Sequence, residues 1–389
     1  MNRKLNIVAD AHIWGAQSAF SGLPGYDVDL RILEHKQINR AVLKDTDILL
    51  TRSSTRVNTE LLQDTPVRFA ATATIGDDHY DKAWLDANGI AWANAAGSST
   101  GSVVEYMVTT LLELHTQNLI TIPETTIGII GAGRIGGALA DICHAIGMKV
   151  LINDPPRQRL EGDAGFSSLD ELLEQADILT LHTPLTGDGV DCTKHLLDAT
   201  RLSDFQGRGI INAGRGGCIN NGALCDWLDL NTSHFAALDC WENEPRPLLR
   251  LFHHLQLTIA TPHIAGHSID GKAANTQFTY NALCNYLKME PVWDMYENLP
   301  DDSLPVEIKS AANPWHSLYA AAKYLYPLAR DNEVMKLWFC LSETELSNAF
   351  TDYRRHYPVR RAWQHAPIHF SHPDATTEQL ARAMGIKVI

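Results

Sequence analysis

Three polar residues whose types suit redox chemistry each follow a short apolar run of the sequence. Arg215 lies in the segment NAGRG, Glu244 in DCWENEP and His263 in TPHIAG. A guanidinium can hold a carboxylate through two hydrogen bonds and polarise the adjacent C2 oxygen. An imidazole can accept a hydroxyl proton, and a carboxylate beside it fixes its tautomer. Together the three favour oxidation of a 2-hydroxy acid, whereas each alone could be a surface arginine, a helix-start carboxylate or a core histidine.

A glycine-rich loop upstream of these segments predicts a dinucleotide cofactor. The apolar run TIGII leads into Gly-x-Gly-x-x-Gly, and a second apolar run ends at Asp154, about twenty residues further on. Such glycines allow a tight turn and a close approach of a pyrophosphate to a helix N-terminus. Asp154 would accept hydrogen bonds from ribose hydroxyls and repel a 2′-phosphate, so NAD is predicted over NADP, although Arg157 nearby would suit NADP. The predicted loop residues are Gly131, Gly133, Arg134, Ile135 and Gly136.

The segment Arg52-Ser53-Ser54 is a candidate phosphate site. It follows the apolar run ILLT, so its cation and its two hydroxyl groups should lie at a strand end. These are the groups that bind a phosphomonoester. An ordinary turn after the strand is the alternative that the residues leave open.

The elements that must position these residues are two series of short apolar runs that alternate with helical patterns. This alternation predicts an α/β protein with two Rossmann-like doubly wound parallel-sheet domains, in which the carboxyl ends of the strands face the ligands. Residues 1–100, completed by 263–295, should bind substrate, and residues 101–262, opening with a helix over Gly101–Gln117, should bind NAD. The predicted strands are Leu5–Ala9, Asp47–Thr51, Val67–Ala73 and Ile90–Ala93, then Thr126–Ile130, Lys149–Asn153, Ile178–His182, Gly209–Asn212, Phe235–Asp239 and Leu257–Thr261.

The last part of the chain has a different composition. Pro, Asp and Glu are frequent over Met289–Pro305, which indicates a linker. The residues beyond it predict a small C-terminal α+β module, 296–389. Aromatic side chains are enriched at interface cores, so some of this module's aromatics should mediate association while others form its own core. The aromatic residues concerned are Trp315, Tyr319, Tyr324, Tyr326, Trp338 and Phe339.

In these motifs the chain resembles the D-isomer-specific 2-hydroxyacid dehydrogenase family. The resemblance is carried by the GAGRIG loop with Asp154 and by the segments NAGRG, DCWENEP and TPHIAGH. It implies the catalytic roles given above for Arg215, Glu244 and His263. The cofactor contacts that it implies are Asp154, Thr183, Ala213, Arg215, Asp239 and Gly266.

A narrower resemblance is to the branch of this family that oxidises 4-phospho-D-erythronate with NAD on the route to pyridoxal 5′-phosphate. It implies substrate contacts from Ser53 and Thr74 and a homodimer formed by the C-terminal module; Arg52, from the candidate phosphate site, is a further substrate contact. If the module does not form the dimer, the Gly101–Gln117 helix is the alternative interface. His267 stands where the family usually has a substrate-binding Tyr and is a further candidate substrate contact. The segments that carry this resemblance are TRSSTRVN (51–58), ATATIGDDHYDKAWL (71–85), VVEYMVTTLL (103–112), NDPPR (153–157) and DYRRHYPVRRAW (352–363).

The chain also differs from the family pattern at 9–13, 96–100 and His267, all in the region expected to bind substrate. Another substrate of the family, such as 3-phosphoglycerate or glyoxylate, is therefore an alternative. A binding protein of this fold that senses NAD as a corepressor, with little turnover, is a second alternative.

Charge and composition argue against several other classes of protein. The 32 Lys and Arg against 46 Asp and Glu give a net charge of −14, which repels phosphate backbones and anionic membranes, so no nucleic-acid or membrane partner is predicted. No apolar run approaches the ~18 residues of a membrane helix. The first apolar run is interrupted at Asp10, which argues against a signal peptide. Seven cysteines without C-x-x-C spacing predict reduced thiols, no metal site and a cytoplasmic location.

Overall fold

The computed structural model describes residues 3–357, 360–372 and 374–389. Pro358 and Val359, which belong to the segment 352–363, lie outside the described residues. The chain folds into two compact units, the first from residues 1–99 and 268–301, the second from residues 100–267 and 302–389.

The first unit is built on a parallel five-stranded sheet with flanking helices. Its strands are β1 (Arg3–Asp10), β2 (Tyr26–Leu33), β3 (Ile48–Thr51), β4 (Phe69–Thr72) and β5 (Ala91–Asn94), and its helices are α1 (Ala16–Phe20), α2 (Thr59–Leu62), α3 (Lys82–Ala87) and α11 (Ile269–Leu287). The strand order β2-β1-β3-β4-β5 is doubly wound. In such sheets the ligand crevice lies beyond the carboxyl ends of the strands where the order reverses, here β1 and β3.

The strand β2 is missing from the prediction. Its sequence YDVDLRIL alternates apolar and charged residues, and exposure alternates along most of it. This alternation suits a strand at the sheet edge, which is not buried on both faces. The other four strands of this unit coincide with predicted apolar runs.

The second unit contains a parallel six-stranded sheet whose strands all appear in the prediction, some one residue shorter at the carboxyl end. The strands are β6 (Thr126–Ile130), β7 (Lys149–Asn153), β8 (Ile178–Leu181), β9 (Gly209–Asn212), β10 (Phe235–Leu238) and β11 (Leu257–Ala260). The helices around them are α4 (Thr100–Thr116), α5 (Arg134–Ala145), α6 (Pro155–Glu161), α7 (Leu169–Gln175), α8 (Ala199–Asp204), α9 (Asn221–Leu230) and α10 (Leu249–Phe252). The order β11-β10-β9-β8-β6-β7 reverses between β6 and β8. A ligand crevice is therefore expected beyond the carboxyl ends of these two strands.

Residues 302–389 pack as part of the second unit. They form a parallel pair of short strands and four helices, and α12 packs against α4, where the hydroxyl of Tyr319 donates a hydrogen bond to Glu113 at 2.5 Å. Most of α4 is buried, which leaves little surface for the alternative dimer interface predicted on that helix. The elements are β12 (Val306–Ile308), α12 (Pro314–Leu325), α13 (Leu328–Lys336), α14 (Glu343–Arg355), β13 (Ile368–Phe370) and α15 (Ala375–Ala383).

The predicted fold class is confirmed: two parallel sheets flanked by helices, with a small additional C-terminal sheet. The division into three domains stays a prediction. Within the ranges that the structure describes, no helix is long and apolar enough to cross a lipid bilayer.

Candidate active site

The loop after β6 has glycines where a side chain would collide with the main chain. Gly131 has a φ of 88°, and a Cβ atom there would lie 2.8 Å from Cγ2 of Thr183 and 2.9 Å from the carbonyl carbon of His182. A Cβ atom on Gly136 would lie 1.9 Å from the carbonyl oxygen of Gly131. By contrast, a Cβ atom on Gly133 would meet nothing within 4 Å. The loop is therefore tightly packed on one side and open beside Gly133.

This open space lies at the start of α5. Gly133 is the N-cap of the helix and, as a glycine, has no side chain with which to cap the first amides. Free amides at a helix N-terminus and the helix dipole both favour an anionic group. The residues therefore fit the pyrophosphate of a dinucleotide, with Arg134 and Ile135 in the first turn.

Asp154 joins the loop to the next helix. Its Oδ2 accepts a hydrogen bond from the Ala132 amide at 2.8 Å, and its Oδ1 caps α6 by accepting one from the Arg157 amide at 3.1 Å. The guanidinium of Arg157 donates to the carbonyl of Ala132 and forms an ion pair with Glu161 at 2.7 Å. Each carboxylate oxygen of Asp154 keeps a second acceptor site, so its contact with the ribose stays a prediction.

The other predicted cofactor residues follow neighbouring strands of the same sheet. Thr183 comes after β8, with its hydroxyl 3.4 Å from the thiol of Cys218, and the buried Ala213 comes directly after β9. Gly266 lies in the loop after β11. Their contacts with the cofactor stay predictions.

The structure pairs His263 with Glu244. Nδ1 of His263 lies 2.5 Å from Oε1 of Glu244, and Oε2 of Glu244 accepts a hydrogen bond from the Trp241 amide at 3.2 Å. Burial raises the pKa of Glu244, but the charge and hydrogen bond of His263, with the guanidinium of Arg354, outweigh burial and hold the pKa below its usual range. An ionised Glu244 accepts the Nδ1 proton of the neutral ring, so Nε2 keeps its lone pair.

The loop that carries His263 is built around the buried Asp239. Its Oδ1 accepts hydrogen bonds from the hydroxyl of Thr261 at 2.8 Å and the amide of Ile264 at 2.7 Å, and its Oδ2 accepts one from the amide of Ala265 at 3.0 Å. Burial raises the pKa of this carboxyl group, while His263 and these donors act in the opposite direction. Asp239 thus shapes the loop, and its contact with the cofactor stays a prediction.

The loop of Arg215 packs directly on the segment that carries Glu244. A Cβ atom on Gly216 would lie 1.9 Å from the carbonyl carbon of Trp241. The thiol of Cys240 donates to the carbonyl of Gly214 at 3.2 Å. The approach of the two main chains is possible only because residue 216 has no side chain.

Four charged groups of the site act on the pKa of the buried Cys240. Burial raises the pKa of its thiol, as do the carboxylates of Asp239 and Glu244, whereas the guanidinium groups of Arg215 and Arg354 lower it. Arg215 and Glu244 therefore act on the same buried residue. Among the residues that the structure describes, no group of three or more His, Cys, Asp and Glu side chains could hold a metal ion.

In the first unit, the predicted substrate residues follow neighbouring strands. Arg52 and the exposed Ser53 come directly after β3, and Thr74 follows β4, which pairs with β3 up to Thr51 and Thr72. The hydroxyl of Thr74 donates to the carbonyl of Gly76 at 2.9 Å and accepts a hydrogen bond from the hydroxyl of Thr72 at 2.7 Å. The structure thus brings these residues to one edge of the sheet.

Lys272, on α11, is a cation of this region that sequence reasoning missed. Burial and the nearby charge of Arg52 lower the pKa of Lys272 to about 8. The motif Ser-Ile-Asp-Gly-Lys gives no local sign of this neighbour, because more than two hundred residues separate Lys272 from Arg52 in the sequence. Only the packing of α11 within the unit brings the two cations together.

His267 belongs to the second unit, where its ring packs edge-on against Tyr357, with ring centroids 5.8 Å apart. Its amide donates to the carbonyl of Ile264 at 2.8 Å. A contact between His267 and substrate stays a prediction.

Comparison with known proteins gives the family of the chain. Residues 110–265 match the model of the D-isomer specific 2-hydroxyacid dehydrogenase, NAD binding domain. The erythronate-4-phosphate dehydrogenase of Pseudomonas syringae pv. tomato is 38% identical over 98% of this chain and 99% of its own. That of Pseudomonas savastanoi pv. phaseolicola is 37% identical over 99% of this chain and 100% of its own.

Solved structures give the same fold. The crystal structure of NAD-dependent formate dehydrogenase from Staphylococcus aureus in complex with NAD matches with a TM-score of 0.61 and 25% identity, covering 75% of this chain and 98% of that one. About a quarter of this chain therefore has no counterpart there. Because its relatives match over nearly their whole length, the chain belongs to the erythronate-4-phosphate dehydrogenases, NAD-dependent members of the D-isomer-specific 2-hydroxyacid dehydrogenase family.

Proposed function

We propose that this enzyme oxidises 4-phospho-D-erythronate at C2 to 3-hydroxy-2-oxo-4-phosphooxybutanoate, a step in the synthesis of pyridoxal 5′-phosphate. The proposal is supported by relatives that are named for this substrate and that match the chain over nearly their whole length. The observation that carries the chemistry is the 2.5 Å contact between His263 Nδ1 and Glu244 Oε1.

The cofactor is held by the second unit. The first-turn amides of α5 beside Gly133 take the pyrophosphate, and Asp154 takes the adenosine ribose. The remaining cofactor contacts are Gly131, Arg134, Ile135, Gly136, Thr183, Ala213, Arg215, Asp239 and Gly266. NAD, when bound, supplies the acceptor for the hydride that leaves C2.

The proton of the C2 hydroxyl goes to His263. Glu244 occupies Nδ1, so Nε2 is the base, and the imidazolium that forms is stabilised by the adjacent carboxylate. Arg215 binds the substrate carboxylate and polarises the C2 oxygen as it becomes a carbonyl. Loss of the hydroxyl proton and of the hydride together leaves the C2=O bond of the product.

The 4-phosphate is recognised by the first unit. Arg52 and Ser53, at the carboxyl end of β3, supply a cation and a hydroxyl group, and Lys272 supplies a second positive charge near Arg52. A phosphate dianion would relieve the repulsion between these two cations. Thr74, after the adjacent strand, and His267 are further substrate contacts in the proposal.

The proposal includes a cytoplasmic homodimer formed by the C-terminal segment. Leu337 and Phe339, two residues apart in a short helical turn between α13 and α14, are 69% and 63% exposed, and Tyr324 of α12 is 55% exposed. Large apolar side chains this exposed support an association surface in this segment. Other aromatics of the segment form its core, since Tyr326 is fully buried.

A steady-state assay of the purified protein tests the function. NAD and a 2-oxo acid acceptor that reoxidises the reduced cofactor would be supplied with 4-phosphoerythronate, 3-phosphoglycerate or glycerate. The proposal predicts the highest kcat/KM for 4-phosphoerythronate. A higher value for 3-phosphoglycerate would assign another substrate of the family, and NAD binding without turnover of any acid would favour a corepressor-like binding protein.

A further inference from the structure

The backbone of His263 adopts a conformation that needs support. Its φ is 54°, in the left-handed region that few residues other than glycine adopt. Such a conformation is strained and persists only where its surroundings hold it. Part of this support comes from Asp239. Its main-chain carbonyl accepts a hydrogen bond from the His263 amide at 2.7 Å, and its carboxylate accepts hydrogen bonds from the amides of Ile264 and Ala265.

The carbonyl groups of the same loop are held by the C-terminal segment. Nε of Arg354, on α14, donates to the carbonyl oxygen of His263 at 3.2 Å. The hydroxyl of Tyr326, after α12, donates to the carbonyl oxygen of Ile264 at 3.3 Å. The amides and the carbonyls of the turn are thus fixed by different parts of the unit.

The helix that carries the donor Arg354 is itself held in place by packing and hydrogen bonds. Leu346 and Phe350 of α14 are buried, and the hydroxyl of Tyr353 donates to the buried carboxylate of Asp331 at 2.7 Å. Tyr357 donates to the other oxygen of Asp331, also at 2.7 Å. Arg354 therefore extends towards the His263 loop from a rigidly packed helix.

We propose that Arg354 is a positioning residue for the base His263, so that the C-terminal segment serves catalysis as well as assembly. This inference rests on the proposed function, which gives His263 and Glu244 their roles. In it, Arg354 fixes the main chain from which the imidazole projects and places a permanent positive charge beside the pair that the imidazole forms with Glu244.

The charge of Arg354, like its hydrogen bond to the main chain of His263, acts on the His263–Glu244 pair. Arg354 and Asp239 interact electrostatically with the His263–Glu244 pair, Cys240 interacts with Glu244, and Arg215 acts on Cys240. Arg354 contributes to the low pKa of Glu244 and opposes a positive charge on the nearby ring. Loss of this cation would therefore favour a positive charge on the neighbouring ring.

Arg354→Gln, Arg354→Lys and the control Lys309→Gln test this role. Lys309 is an exposed lysine of the same segment, so its substitution removes one positive charge from the surface without touching the residues that anchor α14. In Arg354→Gln, kcat for 4-phosphoerythronate should fall about 10- to 100-fold, the effect of a catalytic group misplaced by about 1 Å, with the Kd for NAD unchanged. The acid limb of the pH profile should move to higher pH. Arg354→Lys should restore part of kcat and return the limb towards that of the wild type.

A measurement without substrate separates this inference from the proposed function. The His263 ring, assigned by its absence in His263→Gln, is titrated by NMR in ¹⁵N-histidine-labelled wild type and Arg354→Gln, and folding is checked by near-UV circular dichroism. A titration midpoint that moves to higher pH in folded Arg354→Gln supports the inference even if the wild type turns over none of the acids. An unchanged midpoint, or wild-type kcat and pH profile in Arg354→Gln, would overturn it.

Discussion

At the scale of single residues, the orientation of one imidazole decides the chemistry. Glu244 binds Nδ1 of His263, so the proposed reaction uses the other ring nitrogen, Nε2, as the proton acceptor. Both side chains are about a quarter exposed, at 28% and 25%, so the ring remains open to a ligand. The low pKa of Glu244 keeps it ionised throughout the range in which the histidine can act as a base.

Removal of this base should slow the reaction without weakening cofactor binding. His263→Ala should lower kcat by roughly 10²–10⁴, the usual contribution of a general base, with the Kd for NAD nearly unchanged. Glu244→Gln should move the acid limb of the kcat/KM profile to lower pH, because the imidazolium loses its anionic neighbour. Near-normal turnover in His263→Ala would remove this residue from its role, and an unmoved limb in Glu244→Gln would make Glu244 structural.

Lys272 should make recognition of the phosphorylated substrate sensitive to alkaline pH. Its pKa of about 8 in the free protein means that it is charged below pH 8 and neutral above. KM for 4-phosphoerythronate should therefore rise above pH 8, by up to about 10- to 100-fold if a hydrogen bond to a charged group worth about 1.5–3 kcal/mol is lost.

Lys272→Arg should abolish this rise, because an arginine stays charged. Lys288→Met, at the exposed far end of α11, is the matched control and should behave as the wild type. A KM that rises equally in Lys272→Arg would show that another group is responsible.

At the scale of elements, the strands were predictable and the contacts between loops were not. Buried parallel strands such as IGII and GIIN are continuous apolar runs, whereas the edge strand β2 alternates and was missed. The motif residues Glu244 and His263 could be named from their positions after strands. Their partner Arg354 and the second phosphate cation Lys272 could not, because these contacts join distant segments through packing that no local pattern encodes.

A single glycine-to-alanine substitution tests how closely the Arg215 loop packs on the Glu244 segment. Gly216→Ala would place a Cβ atom 1.9 Å from the main-chain carbon of Trp241, so one of the two loops must move. We expect a loss of stability of about 1–3 kcal/mol in denaturant unfolding, together with a fall in kcat.

Gly217→Ala is the control for this change. The Cβ atom there would meet only the side chain of Leu185, at 3.1 Å, which can rotate away. Equal stability and activity of the two alanine variants would contradict the argument from close packing.

At the scale of the whole molecule, the C-terminal segment is proposed to mediate assembly and also forms part of the core of the second unit. Its buried residues Ile308, Leu318 and Phe370 belong to the same apolar cluster as Met107 of α4, so a chain truncated before the segment would expose this core. Loss of the dimer after truncation would therefore be ambiguous. Point substitutions of exposed residues separate assembly from folding.

The double variant Leu337→Glu/Phe339→Glu should sediment as a monomer with an unchanged near-UV spectrum. Charged side chains at these positions would have to be buried without partners in an apolar interface. The control Leu230→Glu/Leu255→Glu changes two leucines that are more exposed than Leu337 and Phe339, at 73% and 99%, and should leave the dimer intact. A dimeric Leu337→Glu/Phe339→Glu protein would place the interface elsewhere.

The most direct test of the proposed function compares kcat and kcat/KM of the wild-type enzyme for 4-phosphoerythronate and for erythronate. Binding of the remote phosphate by Arg52 and Lys272 can be used to position C2 for reaction, so the unphosphorylated acid should lose kcat as well as affinity. Arg52→Ala should cost about 1.5–3 kcal/mol of transition-state binding for the phosphorylated acid and little for erythronate. Equal kcat/KM for the two acids in the wild type would contradict the phosphate site and leave only a 2-hydroxyacid dehydrogenase of unassigned substrate.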